Sequence, residues 1–155
     1  MDYSHVPVLL DECIRMLNIN SEGIYIDGTI GGAGHSTEIL KKLGAGGVLI
    51  GLDKDADAIE VSKRRLISVK SNARVILKNC SFKHMKDVCY ENGIRQVDGI
   101  LLDLGVSSYQ LDETGRGFSY HRDAALDMRM DKNQVLTAEI IVNEYDEKEI
   151  ARIIR

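Results

Sequence analysis

Three aspartates follow or end apolar segments of the sequence, where a carboxylate can accept hydrogen bonds from a ligand. Asp27 comes directly after Tyr25 and Ile26, Asp53 ends an apolar run that begins at Val48, and Asp103 lies in the segment D-G-I-L-L-D-L. Carboxylates in such places can bind ribose hydroxyls, accept an amine hydrogen or offset a positive charge. If the segments are parallel strands, their carboxyl ends share one crevice, and we expect the three acids to meet there.

A glycine-rich segment stands directly after Asp27 and is the strongest candidate for a ligand loop. Four glycines occur between Gly28 and Gly34, and glycine allows positive φ and a close approach of the backbone to a bound molecule. We expect Ser36 or Thr37 to cap the helix that follows, with its free amides directed at the loop. A tight turn that binds nothing is the alternative.

The spacing of the acids narrows the kind of ligand. Asp53 lies 19 residues after Gly34, where an acid can accept both hydroxyl hydrogens of a ribose, so a nucleoside is expected. Neither G-x-G-x-x-G nor G-x-x-x-x-G-K-[ST] is present. Asp27 would repel a pyrophosphate but suits the amino group or sulfonium of S-adenosylmethionine. Alternatives are a helix N-cap at Asp53, a turn residue at Asp27, and an NAD-dependent oxidoreductase.

Alternating strand and helix patterns position these residues. The sequence predicts strands at 23–27, 48–52, 73–77 and 98–104, and helices at 8–17, 36–43, 56–67 and 83–92. This alternation predicts an α/β fold with a parallel, doubly wound, Rossmann-like sheet. The fourth strand is apolar throughout and is expected to be covered on both faces. Residues 105–131 form a long, functional loop, and helices follow at 137–155.

Bulk properties exclude several classes of protein. A chain of 155 residues, 44% hydrophobic, predicts one domain, and no apolar run is long enough to span a bilayer. The first residues lack a targeting pattern, so a cytoplasmic location is expected. Three cysteines without C-x-x-C and four histidines without H-E-x-x-H indicate no metal site. The net charge of −4 leans against nucleic-acid binding by bulk electrostatics.

Four longer segments resemble a known family. They are H-V-P-V-L-L-D-E from His5, Y-I-D-G-T-I-G-G-A-G-H-S from Tyr25, D-G-I-L-L-D-L-G-V-S-S-Y-Q-L-D from Asp98 and R-G-F-S-Y-H-R-D-A-A-L-D-M-R-M-D from Arg116. They resemble the bacterial RsmH family, formerly called MraW. That family comprises S-adenosylmethionine-dependent methyltransferases acting on the exocyclic N4 of a cytosine in 16S (small-subunit) ribosomal RNA.

The resemblance implies a class I methyltransferase fold of seven strands with an inserted helical domain. Residues 1–110 would form the first, cofactor-binding part of the methyltransferase domain. Residues 111–155 would form the active-site loop and the start of the substrate-recognition insertion. The sheet would then stop after about four strands, and we expect the chain alone to be inactive. The expected partner is small-subunit ribosomal RNA within the assembled subunit, and the sequence leaves a homodimer through the edge of the fourth strand open.

The resemblance also implies roles for single residues. Besides Asp27, the cofactor contacts would be Ala33, Gly34, His35, Asp53, Phe82 (or Ser81), Asp103 and Gln110. Catalysis would rest on Asp103 as orienter or acceptor of the amine hydrogens, with Ser107 or Ser108 supplying a further contact; alternatively, Asp103 only binds cofactor.

Substrate binding would rest on Arg116, Arg122 and Arg129 for phosphate, with Arg116 and Arg122 the leading candidates, and on Phe118 or Tyr120 for stacking on a displaced base. The alternative is that Arg116, Arg122 and Arg129 pair with the aspartates of the same loop. Lys63, Arg64 and Arg65 are expected to form a solvated helix face. A non-catalytic nucleoside-binding or ribosome-assembly module is the other function left open.

Overall fold

Two packed units make up the chain. The computed structural model describes residues 7–107, 110–111, 113, 115–121 and 123–155. The first unit ends at Leu104 and the second begins at Gly105. The predicted division after residue 110 separates functional parts and stays a prediction. Across the described ranges, none of the helices has the length and apolar character that crossing a membrane requires.

Strands and helices alternate through the first unit. Its elements are α1 (Leu10–Leu17), β1 (Ile24–Asp27), α2 (Gly34–Lys42), β2 (Val48–Asp53), α3 (Ala56–Ile67), β3 (Arg74–Asn79), a 3-10 helix (Phe82–His84), α4 (Met85–Glu91) and β4 (Gly99–Leu101). Each strand is rich in Ile, Leu or Val, and several helix ends are capped by residue types that favour turns and caps, namely Asn18, Asp55, Ser68 and Asn92. The predicted order of elements is therefore confirmed.

All four strands are parallel and lie in the order β3-β2-β1-β4. Ile26 pairs with Ile50 of β2 and with Ile100 of β4, and Ile50 pairs in turn with Ile76. This order is the beginning of the doubly wound arrangement, in which the chain reverses direction across the sheet beside β1. The predicted α/β, Rossmann-like fold is confirmed.

The core fills both faces of the sheet because neighbouring strand residues point to opposite sides. One cluster contains Tyr25, Leu49 and residues of α2 and α3, with Ile14 and Leu17 of α1 packed against it. The other contains Ile26, Ile50, Leu52, Ile76 and residues of α4. Helices on both faces bury the central strands β1 and β2 and hold their carboxyl ends at one edge.

The fourth strand differs from the prediction. It spans Gly99–Leu101 rather than 98–104, and Ile100 and Leu102 are 47% and 41% exposed. The expected cover on both faces is thus wrong for this structure. The reason is position: β4 pairs with β1 alone among the strands that are described, so it forms an edge of the sheet.

Among the described residues of the second unit, a long segment without a bounded helix or strand precedes two helices, α5 (Ala138–Glu144) and α6 (Glu147–Ile154). The side chain of Thr137 caps α5, where the predicted helical segment 137–155 begins, and that of Asp146 caps α6. Within the long segment, the amide of Met128 donates to the carbonyl of Arg116 at 3.0 Å. The amide of Ala138 likewise donates to the carbonyl of Asp127 at 2.9 Å, so hydrogen bonds tie the segment to itself and to α5.

The core position of Leu49 allows a test of this packing. Leu49 is fully buried, whereas Ile67 at the end of α3 is 76% exposed. Leu49→Ala should lower the free energy of unfolding by about 2–5 kcal/mol through lost apolar burial and the cavity left behind. Ile67→Ala is the control and should change it by less than about 0.5 kcal/mol. Urea unfolding followed by circular dichroism measures both, and equal losses would contradict this packing.

Candidate functional site

The glycine loop joins β1 to α2. Gly31 and Ala33 take φ values of +49° and +58°, the left-handed region, so the chain turns sharply there. Helix α2 begins at Gly34 with Ala33 as N-cap residue, and no described side chain caps it. The predicted cap by Ser36 or Thr37 is therefore wrong. The left-handed turn at Ala33 starts the helix two residues earlier and places both side chains inside its first turn.

Asp27 is buried beneath this loop. Its carboxylate accepts a hydrogen bond from the Ser36 hydroxyl at 2.7 Å and another from the Thr29 amide at 3.2 Å. The residue is 1% exposed, and this burial raises the pKa of Asp27 to about 6, against the lowering effect of both hydrogen bonds. Asp27 therefore ties the end of β1 to the first turn of α2. Its direct contact with a cofactor stays a prediction.

Asp53 joins the end of β2 to the same loop. One carboxylate oxygen accepts from the amide of Gly31 at 2.9 Å, and the other accepts from the amide of Asp55 at 2.9 Å. Burial raises the pKa of Asp53, against the lowering effect of these amides. The N-cap of α3 is Asp55, whose side chain accepts from the amide of Asp57, so the N-cap alternative for Asp53 is wrong. Asp53 is half-buried and lies against the loop.

Helix α3 supplies two contacts to the loop that the sequence analysis missed. The hydroxyl of Ser62 donates to the carbonyl of Gly31 at 2.9 Å, and Arg65 Nη1 donates to the carbonyl of Gly32 at 2.9 Å. The expectation of a solvated Arg65 is therefore wrong. A signal was present: Ser62 is completely buried, on the helix face that also carries Ile59 and Leu66. A polar residue on the apolar face of a helix needs a buried partner.

Two further predicted residues lie at the same edge of the sheet. The amide of Asp103 donates to the hydroxyl of Thr29 at 2.7 Å, which fixes Asp103 beside the loop. The Asp103 side chain is exposed, and none of the described groups donates to its carboxylate. A side chain on Gly28 would collide with Leu102 and Phe82, so Phe82 lies next to the loop.

The other residues predicted to bind the cofactor near the loop make contacts within the protein. The His35 ring bonds to the carbonyl of Val8 at 3.0 Å, and Gly34 is packed so closely against Pro7 that a Cβ would not fit. Ser81, the alternative to Phe82, accepts from the amide of Lys83 as N-cap of the 3-10 helix. The structure thus gives Ser81 a structural role and leaves Phe82 as the better candidate.

Ser107 and Gln110 form a reciprocal pair in the second unit. The Gln110 amide donates to the Ser107 hydroxyl at 3.2 Å, and the Gln110 side-chain oxygen accepts from the Ser107 amide at 3.0 Å. This is the capping-box geometry that S-x-x-Q favours. Gln110 is 5% exposed. The proposed cofactor contact of Gln110 and the catalytic contact of Ser107 stay predictions, and Ser108 lies outside the described residues.

The arginines of the long segment mostly hold the segment itself. Arg116 is 6% exposed, and its Nη2 donates to the carbonyls of Arg129 and Met130 at 2.8 and 2.9 Å. Arg129 contacts Asp127 with Nε and Nη2, both at 2.7 Å, and these hydrogen bonds lower the pKa of Asp127 to about 2. Pairing within the segment, the alternative above, is thus confirmed for Arg129.

The substrate contacts assigned to this segment stay predictions. Arg116 lies over the ring of Phe118, 5.7 Å from its centroid, and Phe118 is half-buried. Tyr120 is 92% exposed and lies against the ring of His121. Of the two aromatic candidates, Tyr120 is therefore the more accessible to a base. Arg122 lies outside the described residues.

The first unit therefore brings Asp27, Asp53, Asp103 and Phe82 to one edge of the sheet around the glycine loop. The arrangement offers carboxylate oxygens for hydroxyl or amine hydrogens and one aromatic ring beside them. A Cβ on Gly31 would meet only the carbonyl oxygen of Thr29, at 3.9 Å, so the loop leaves space there for a bound molecule. Across the residues that are described, no cluster of His, Cys, Asp or Glu could hold a metal ion.

Comparison with known proteins gives a consistent result. The model of the MraW methylase family matches residues 2–155. Ribosomal RNA small subunit methyltransferase H of Ruminiclostridium cellulolyticum is 60% identical over 155 residues, which is 100% of this chain and 50% of that protein. The protein of the same name from Acetivibrio thermocellus is 59% identical over 97% of this chain and 48% of its own length. The chain thus spans about half the length of these relatives.

The buried carboxyl of Asp27 predicts an unusual dependence of stability on pH. Its pKa is about 6 in the folded chain against 3.8 ordinarily, so the folded state binds more protons between about pH 4 and pH 6. The stability contributed by Asp27 must therefore fall as pH rises through this window. Between pH 4 and pH 7, we expect the free energy of unfolding of the unchanged chain to fall by about 2–3 kcal/mol relative to that of Asp27→Asn.

Urea unfolding at several pH values measures this difference. Asp53, whose pKa is also raised, is present in both proteins, so its contribution cancels in the comparison. Glu60→Gln, at an exposed position of α3, is the control and should follow the unchanged chain. If the free energy of unfolding of the unchanged chain and of Asp27→Asn changed with pH in parallel, the raised pKa of Asp27 would be contradicted.

Proposed function

The chain belongs to the MraW methylase family, and from that premise we propose that it binds S-adenosylmethionine at the glycine loop for methyl transfer to RNA. The proposed acceptor is the exocyclic N4 of a cytidine in 16S (small-subunit) ribosomal RNA. The names of the relatives, ribosomal RNA small subunit methyltransferase H, support an RNA substrate of the small subunit. The single observation that carries the cofactor site is the hydrogen bond between Asp53 and the Gly31 amide.

The residues around the loop fit S-adenosylmethionine. Each oxygen of Asp53 accepts one amide hydrogen and keeps further acceptor capacity for a ribose hydroxyl. Phe82, beside Gly28, supplies a ring for the adenine. Gly34 and His35 form the first turn of α2, where backbone amides without a partner inside the helix favour a carboxylate, whereas the Ala33 amide donates to the carbonyl of Ile30 at 2.7 Å. A positive charge near Asp27 would favour its ionised form.

Bound S-adenosylmethionine would supply an electrophilic methyl group. The chain's part in transfer is then to place the amine and to receive its hydrogens as positive charge develops on N4. Asp103 is the candidate, since its backbone is fixed by Thr29 while its carboxylate is exposed. Positioning alone supplies roughly 7–11 kcal/mol in well-oriented systems, so the proposal needs no covalent intermediate.

Calorimetry of the 155-residue chain with S-adenosylmethionine and with NAD tests the cofactor. We expect the chain to bind S-adenosylmethionine. Asp53→Ala should weaken this binding at least tenfold. Asp57→Ala on α3 is the control for removal of a nearby acid and should leave the affinity unchanged. Tighter binding of NAD would support an oxidoreductase and refute the proposal.

Methyl transfer tests the reaction. Labelled S-adenosylmethionine and small ribosomal subunits are incubated with the chain, and the RNA is digested and analysed for N4-methylcytidine. The chain alone is expected to transfer little or no methyl group; where transfer is measured, Asp103→Ala should reduce it far more than it reduces cofactor binding. Equal reduction would make Asp103 a cofactor contact only. Cofactor binding with no transfer would contradict a complete enzyme and support a cofactor-binding portion or a non-catalytic module.

Arg65 should affect the affinity for S-adenosylmethionine by holding the backbone of the glycine loop. Its bond to the Gly32 carbonyl helps hold the loop backbone, so Arg65→Met should weaken S-adenosylmethionine binding about 10- to 150-fold, the equivalent of one lost hydrogen bond to a charged group. Arg64→Met, at an exposed neighbouring position, should have no effect. Arg65→Lys should restore part of the affinity. An unchanged affinity in Arg65→Met would show that the loop holds its shape without this contact.

A further inference from the structure

Basic residues are concentrated in one short part of the chain. Residues 74–95 contain five basic and two acidic residues, a net charge of +3. The rest of the chain contains 15 basic and 22 acidic residues, a net charge of −7. The overall charge of −4 therefore conceals an uneven distribution: residues 61–86 contain eight basic residues and no acidic one, so segment 74–95 continues a basic run that begins on α3.

Side-chain contacts connect two cations of β3 to the end of α4, and two further cations to a tyrosine of α4. Arg74 Nη2 donates to Asn92 Oδ1 at 2.9 Å, and Lys78 Nζ lies 3.4 Å from a Glu91 carboxylate oxygen. Thus β3 contacts the end of α4. Next to these two residues on the chain is Tyr90, whose ring centroid lies 5.5 Å from Lys86 Nζ and 4.9 Å from Arg95 Cζ. We call this surface the α4 patch; it consists of Arg74, Lys78, Lys86, Tyr90 and Arg95.

The charges of the α4 patch are largely uncompensated. Among the side chains that the structure describes, Arg74, Lys86 and Arg95 form no ion pair. The pair of Lys78 with Glu91 is highly exposed, at 48% and 62% of the two side chains, and such pairs are weak in water. Tyr90 is 47% exposed and keeps Lys86 and Arg95 near its ring. A cation held in place loses less entropy when it binds an anion.

On the basis of these contacts, and resting on the proposed function, we propose that the α4 patch binds the phosphate backbone of the substrate RNA outside the cofactor site. The rows of cations lie on rigid elements: Arg74 and Lys78 are four residues apart on β3, about 13 Å at the usual rise per residue. This suits an extended polyanion. The remaining chain is net negative, which favours RNA backbone contacts at this basic surface over the acidic parts of the chain.

An anionic membrane surface is a poorer fit to the same charges. Membrane-surface helices need an apolar face that enters the lipid. Helix α4 has seven residues, and its apolar Val88 and Cys89 are buried in the core at 5% and 8% exposure. The helix therefore has no apolar surface to insert, and its exposed face carries charge and one tyrosine.

Matched charge removals test the α4 patch. Lys86→Gln with Arg95→Gln removes two patch cations, and Lys63→Gln with Arg64→Gln removes two exposed cations of α3 as a control. Fluorescence anisotropy measures binding of a small-subunit RNA fragment over a range of salt concentrations, and calorimetry measures S-adenosylmethionine binding to the same proteins. All four positions are exposed, and thermal unfolding checks that each protein is folded.

We expect the patch variant to bind RNA roughly 50-fold more weakly at 0.1 M salt and to reduce the salt slope by about 2, which corresponds to two lost phosphate contacts. The control should change the affinity less than threefold. S-adenosylmethionine binding should be unchanged in both. Tyr90→Leu, which keeps the charge but removes the ring, should weaken RNA binding severalfold. Tyr90→Phe should restore the affinity.

Equal losses in the patch and control variants would overturn the proposal in favour of a net-charge effect. RNA binding unaffected by the patch variant, or absent in the unchanged chain while S-adenosylmethionine binds, would overturn the proposal and leave the cofactor site standing. If the chain bound RNA through the patch but did not bind S-adenosylmethionine, the proposed function would instead be refuted. Tighter binding to vesicles of anionic phospholipid than to RNA would identify a membrane surface and overturn the proposal.

Discussion

The backbone of the glycine loop has few side chains of its own, so its polar groups depend on neighbouring elements. The carbonyls of Gly31 and Gly32 accept from Ser62 and Arg65 of α3, and the Gly31 amide donates to Asp53 at the end of β2. Backbone groups in such a partly buried place need partners. The loop conformation is therefore set by the second β-α unit as much as by its own glycines. A ligand that binds the loop depends on contacts from residues more than 20 positions away in the chain.

Acidic and basic groups have separate places in the first unit. Carboxylates collect where the strands end, where they order the loop and can bind hydroxyl or amine hydrogens. Lysines and arginines collect between residues 61 and 86, on α3, on β3 and at the start of α4. An acidic crevice alone would repel a polyanionic substrate, so attraction has to come from another surface. The modest net charge of the chain is the sum of these two distributions and describes neither of them.

Local pattern was enough to predict much of the fold. Helix α3 occupies the predicted residues because its apolar spacing and its Asp55 N-cap act within one turn. The acids at strand ends were equally predictable, since strand length and parallel order together place them. The early start of α2 was not, because Ala33 adopts a left-handed conformation that alanine rarely takes without support from its surroundings.

Contacts between residues that are far apart in the sequence are the part of the site that could not be predicted. The bond from Arg65 to Gly32 joins residues 33 positions apart, and a run of three basic residues ordinarily indicates solvent. The exposure of Ile100 follows from the place of β4 in the sheet, which its apolar composition did not reveal. The pair of Ser107 and Gln110, in contrast, carries a local signature, S-x-x-Q, that could have been recognised from spacing alone.

The position of β4 beside β1 has a consequence for folding. Ile24 of β1 receives its contact from Asp98, 74 residues later, whereas β1 and β2 pair at a separation of 24 residues. Closing the longer loop costs more chain entropy, and contacts between distant residues form slowly. Thr29 and Asp103 come together only where β4 pairs with β1, so the crevice depends on the strand pair of greater sequence separation.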